Sequence, residues 1–108
     1  MRVLAVLSPH TKLDLAGMGG VRTGHDAAKA LLCGADVIQL TSVLLERGPA
    51  YVKTIIDDLR AWLAQTGYVS SDEARGVRSM GIAPDAHVWE RLNYIRLLDG
   101  WRTRPGAR

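Results

Sequence analysis

The chain is short of the features that would commit it to a membrane, an oxidising compartment or a nucleic acid. Its single cysteine, Cys33, cannot form an internal disulfide, which agrees with a reducing compartment. No apolar run approaches the roughly 20 residues of a membrane-spanning helix, and the amino terminus has no signal-peptide cleavage pattern. Charge of one sign is also scarce, with 14 Lys and Arg against 11 Asp and Glu and a net of +3. Apart from Arg102, Arg104 and Arg108 at the end, the basic residues are scattered, which argues against a nucleic-acid surface. His10 and His87 lack partners at metal-ligand spacing, so no metal site is expected. The expectation is a cytoplasmic protein with neither membrane nor nucleic acid as partner.

Length sets a second limit. A chain of 108 residues, 47% of them hydrophobic, is ample for one small core. It is well below the roughly 250 residues of a (β/α)8 barrel.

What is present is organised around residues 19–45, GGVRTGHDAAKALLCGADVIQLTSVLL. Gly19 and Gly20 lack a Cβ, so the backbone there can take positive φ and approach a ligand closely. Thr23-Gly24-His25-Asp26 reads as a capping box that opens a helix just beyond those glycines. Helix amino termini offer unpaired N–H groups and partial positive charge, where phosphate binds readily. Ala27, Ala30, Leu31 and Leu32 face a core, and Gly34 stops the helix. Asp36 to Leu40 then reads as a short, mostly buried strand ending on Thr41 and Ser42. Two successive strand-to-helix turns rich in small residues match the phosphate site after the seventh and eighth strands of (β/α)8 barrels.

The flanks fit the same plan. Met1 to Leu7 read as the last turns of a helix ended by Ser8 and Pro9, and Lys12 to Gly17 alternate as a strand. Val43 to Arg47 make about one helical turn, Gly48 breaks it, and Pro49 suits the first turn of the next helix. There Val52, Ile55, Ile56, Leu59, Trp62 and Leu63 share one face, with Lys53, Asp57, Asp58 and Arg60 on the other, and Gly67 ends the helix. Ser70 to Glu73 form a second capping box, opening a short helix that Gly76 stops. Asp85 caps an expected final helix carrying Val88, Leu92, Ile95 and Leu98, widened by Trp89, Tyr94 and Trp101. The fold class is therefore α/β, the C-terminal portion of a (β/α)8 barrel: residues 1–80 its last helix-strand units, residues 81–108 a C-terminal helix and basic tail.

Single residues have plain readings. Cys33 is expected in the core, and His25 at a solvated surface. Arg22 is a candidate phosphate partner, and the aromatic residues are packing. Asp57 and Asp58 point apart on their helix and form no acid/base pair.

The order GGVRTGHDAAKALLCGADVIQLTSVLLERGP, an amphipathic helix ending WLAQTGY, then SSDEARG, resembles the C-terminal part of dihydroorotate dehydrogenases and their dehydrogenase-like relatives. SMGIAPDAHVWERLNYIRLL is similar to the closing segment of the dehydrogenase-like branch. The GG turn and KAL…GA helix also occur in other FMN barrels, such as 2-hydroxyacid oxidases and inosine monophosphate dehydrogenases; the GP, GY and RG elements narrow the resemblance. It implies an FMN-containing (β/α)8 oxidoreductase that oxidises dihydroorotate, or a related small-molecule substrate, in pyrimidine biosynthesis. By resemblance Gly19, Gly20, Thr41 and Ser42 hold the FMN phosphate, although the family usually has Gly-Thr where Thr41-Ser42 stand. The family's catalytic Cys or Ser base, and the Asn and Lys residues at substrate and flavin, belong to earlier strands and loops. No catalytic residue is therefore expected in this chain, and alone it should be inactive. Three readings stay open: the C-terminal part of such a flavoprotein, completed by the missing barrel half; a stand-alone half-barrel that binds FMN or another phosphate ligand without catalysis, as a homo-oligomer; or a non-functional remnant.

Overall fold

The computed structural model describes residues 1–79, 81, 85, 91, 92, 94–96 and 98–100. Helix α1 (Arg2–Leu7) runs into a 3-10 turn (Ser8–His10). Strand β1 (Ala16–Met18), helix α2 (Gly24–Leu32), strand β2 (Val37–Gln39) and the short helix α3 (Ser42–Arg47) follow. The long helix α4 (Tyr51–Thr66) and the single turn α5 (Ser71–Ala74) complete the order. Strands β1 and β2 pair in parallel, with Ala16 opposite Val37, Gly17 opposite Ile38 and Met18 opposite Gln39. A parallel pair needs a crossover, and α2 supplies it.

Local chemistry accounts for the helix limits. Thr23 caps α2 by accepting from the Asp26 amide at 3.2 Å, and the Asp26 carboxylate accepts from the Thr23 amide at 3.2 Å. The other end closes as a Schellman turn, with Gly34 at φ +100° donating to Leu31 and Ala35 donating to Ala30. Gly48 and Gly67 end α3 and α4 as expected.

Other expectations need correction. β1 begins at Ala16 rather than Lys12, because side chains occupy the amides before it. The Leu13 amide donates to Thr11 Oγ1 at 3.1 Å, and the Leu15 amide to Asp36 Oδ2 at 2.8 Å. β2 is limited to Val37–Gln39 and is not mostly buried: Val37 and Gln39 are exposed, since helices cover one face of the sheet. Pro49 sits one residue ahead of the Ala50 N-cap rather than inside the first turn of α4. Ser70 does cap α5, but Glu73 returns its bond to the Val69 amide, not to Ser70, so that capping box is incomplete. α5 itself ends at Ala74, before Gly76.

The core lies between the sheet, α2, α3 and α4. Val21, Ala27, Val43 and Ile55 are buried at its centre, and Ile38, Leu40, Leu44, Tyr51 and Leu59 pack on them. It is a core of small side chains: Val43 is the largest that is fully buried among the described residues. On α4 only Ile55 is buried, Ile56 is exposed, and Val52, Leu59, Trp62 and Leu63 are half-buried. The Trp62 and Tyr68 rings stack with centroids 5.9 Å apart, which is a packing role. Met18 and Val37 project from the uncovered sheet face and are 71% and 52% exposed. Parallel sheets are ordinarily covered on both faces, so this two-stranded pair presents a surface made for contact.

The expected final helix falls largely outside the described residues, as do Val88, Trp89 and Trp101. Residues 91, 92, 94–96 and 98–100 are helical, and Leu92, Tyr94, Ile95 and Leu98 are exposed.

Candidate functional site

The parallel register decides which loops meet. Met18 and Gln39, the last residues of the two strands, lie abreast. The turn at Gly19–Gly20 and the turn at Thr41–Ser42 therefore leave the same end of the sheet, the carboxyl end, where α/β folds place their ligands.

Gly19 and Gly20 have φ of +83° and +74°, and a Cβ added at either would meet nothing within 4 Å. Positive φ leaves their peptide groups open to that space. Thr41 is the N-cap of α3 but makes no side-chain capping bond, and both Thr41 and Ser42 are exposed. Two hydroxyls and a helix start without a side-chain cap thus stand beside the glycine turn. A phosphate group asks for such donors.

Arg22 is not directed to a phosphate. Its guanidinium forms a two-point pair with Glu46 of α3, Nη1 donating to Oε1 at 3.1 Å and Nη2 to Oε2. The bond to Glu46 lifts Arg22 further above its ordinary pKa, and Arg22 holds the Glu46 carboxyl below the usual carboxylate range. Next to the pair, the Arg22 amide donates to Asp26, whose carboxyl is lowered by that bond first and then by the Thr23 hydroxyl. His25 is exposed, in keeping with a solvated role. Cys33 is half-buried at the C-cap of α2 rather than in the core, at the helix end remote from the glycine turn.

Sequence reasoning passed over two acidic residues. Glu46 becomes the partner of Arg22 only because the strands bring their following turns together, which no local pattern announces. Asp36 opens β2, and besides taking the Leu15 amide it pairs with Arg75 at 2.7 Å. A groove of about 270 Å³ lined by Lys12, Leu15, Asp36 and Arg75 lies there, at the amino end of the strands. That end of such folds is a stability face rather than a catalytic one.

The family model for dihydroorotate dehydrogenase matches residues 1–63. The chain belongs to that family. The match includes both strand-to-helix turns and most of α4, while the Gly67-Tyr68 and Arg75-Gly76 elements lie beyond it. Among curated relatives, dihydroorotate dehydrogenase A (fumarate) of Lactococcus lactis subsp. cremoris (strain MG1363) is 38% identical over 65 residues, covering 60% of this chain and 21% of that protein. A Streptococcus equi subsp. equi (strain 4047) protein named for the same activity is 39% identical over 67 residues, covering 62% of this chain and 22% of its own. The chain therefore matches about a fifth of the length of these dihydroorotate dehydrogenase relatives. Among the described residues no helix is long and apolar enough to cross a membrane.

Proposed function

We propose that this chain supplies the last two βα units of an FMN-dependent (β/α)8 oxidoreductase resembling dihydroorotate dehydrogenase, and that its two turns hold the FMN phosphate. The observation that carries this reading is the parallel pairing of β1 and β2, which sets the Gly19–Gly20 and Thr41–Ser42 turns side by side. The residues present fit a phosphate. The glycine turn has open space where side chains would stand, and the start of α3 has no side-chain cap. Charge-assisted hydrogen bonds of this type contribute about 1.5–3 kcal/mol each, so a few of them anchor a cofactor.

Gly19 and Gly20 offer backbone N–H groups, and Thr41 and Ser42 offer hydroxyls. When bound, FMN supplies the hydride acceptor for oxidation of dihydroorotate or a related small molecule. This chain's residues bind and orient the phosphate end only. The base that removes the substrate proton belongs to the barrel strands that the relatives carry ahead of the matched region. The exposed sheet face, with Met18 and Val37, faces those strands in this reading, since inward-pointing side chains fill a barrel interior.

The test is reconstitution in cytoplasm-like reducing buffer. The chain is purified alone and, separately, together with the preceding barrel segment of the Lactococcus lactis relative. Each sample is incubated with excess FMN and desalted, and its visible spectrum is recorded. The expected result is flavin retained near one per chain in the two-piece complex. Retention by the chain alone as a defined oligomer supports the self-standing half-barrel instead. Colourless protein in both samples overturns the phosphate reading.

A further inference from the structure

Arg22 and Glu46 sit on the two elements that leave the adjacent strand ends, Arg22 two residues after Gly20 and Glu46 one helical turn after Ser42. Arg22 is tied to its own side by its amide, which donates to Asp26 at 3.2 Å at the start of α2. Its side chain reaches the other side and grips both carboxylate oxygens of Glu46. Nothing else among the printed side-chain hydrogen bonds crosses from the first turn to α3.

We infer that the Arg22–Glu46 pair is a strap across the two phosphate turns: it fixes their separation and keeps the Arg22 charge off the phosphate. Arg22 is then a positioning residue and not a ligand. This inference rests on the phosphate reading above. It makes the opposite prediction from a direct Arg22–phosphate contact. If Arg22 were a ligand held in reserve, removing Glu46 would free it and tighten FMN binding. If the pair is a strap, removing either partner loosens the site. The two side chains are 48% and 52% exposed, so solvent screens them and the effect is small; the two-point geometry keeps it measurable.

The experiment compares wild type, Arg22→Gln, Glu46→Gln and the exchange Arg22→Glu with Glu46→Arg, each in the two-piece complex. FMN and riboflavin, which lacks the phosphate, are titrated by flavin fluorescence quenching. Both single variants should weaken FMN about threefold with riboflavin unchanged, the exchange should restore most of the loss, and the differences should shrink in about 1 M salt. Tighter FMN binding by Glu46→Gln overturns the strap. Hydrogen exchange of the ligand-free chain gives a second, FMN-independent readout. Each single variant should speed exchange of amides in both 19–21 and 41–43, and the exchange variant should slow it again. Faster exchange in the mutated turn alone overturns the strap even where wild type binds no FMN, an outcome that would by itself count against the phosphate reading.

Discussion

Gly24 of α2 lies so close to α4 that a Cβ built on it would stand 2.6 Å from the amide nitrogen of Leu59 and 2.8 Å from the Asp58 carbonyl carbon. Neither atom belongs to a flexible side chain, so the helices must move apart to admit a methyl group. Alanine ordinarily favours a helix over glycine by roughly 0.5–1 kcal/mol. Here overpacking against backbone reverses the sign, and Gly24→Ala should destabilise the chain by about 1–3 kcal/mol. Urea unfolding followed by circular dichroism would measure it. A variant at least as stable as wild type would mean that α2 and α4 do not pack at this distance.

The Thr23–Asp26 box gives a pH dependence of known sign. Hydrogen bonds from Arg22 and Thr23 hold the Asp26 carboxyl below its ordinary 3.8. A carboxyl with a depressed folded-state pKa adds stability that is fully present above the unfolded value. That stability falls away as acid carries the pH from about 3.8 down through the folded value. Asp26→Asn keeps an oxygen acceptor but no titration. Its unfolding midpoint should therefore vary less with pH than that of wild type below about pH 4, with the two curves closest in strong acid. Thr23→Ala, which removes the other half of the box, should cost about 0.5–2 kcal/mol at neutral pH.

Asp36 joins three parts of the chain. One carboxylate oxygen takes the Leu15 amide at 2.8 Å and the other takes Arg75 at 2.7 Å, with the side chain only 22% exposed. Asp36→Ala leaves a part-buried amide without its partner, which costs about 1–3 kcal/mol. Asp36→Asn retains an acceptor for Leu15 and should cost less. If both variants unfold at the wild-type urea concentration, the clamp contributes nothing in solution.

Which features were legible in the sequence follows from the range of the interactions that make them. The α2 capping box and the glycines that end α2, α3 and α4 are written within five residues, and all lie where the pattern puts them. The start of β1 is different. Lys12 to Gly17 alternates as a strand does, but the Leu15 amide is claimed by Asp36, 21 residues on. The Arg22–Glu46 pair and the approach of Gly24 to Asp58 likewise span 24 and 34 residues, so no window of sequence contains both partners. The mostly buried reading of β2 failed for a related reason. Val37, Ile38 and Leu40 are apolar enough for a core, but burial needs a covering surface, and the described residues put helices on one face only.

That uncovered face yields the last prediction. In the parallel register Ala16, Met18, Val37 and Gln39 point to the same side, and none is covered. Two large apolar side chains left in water forgo about 1.5–3 kcal/mol each of burial. In the chain alone Met18→Lys with Val37→Thr should change unfolding stability by no more than about 0.5 kcal/mol, because exposed positions away from special contacts rarely matter more. Solubility should rise, since a flat apolar sheet with open edges invites association. In the two-piece complex the same double variant should lose the partner segment, because a charged lysine would have to enter a packed barrel interior. Size-exclusion chromatography separates the cases. A variant that still assembles with the preceding barrel segment would show that this face is not where the rest of the barrel docks.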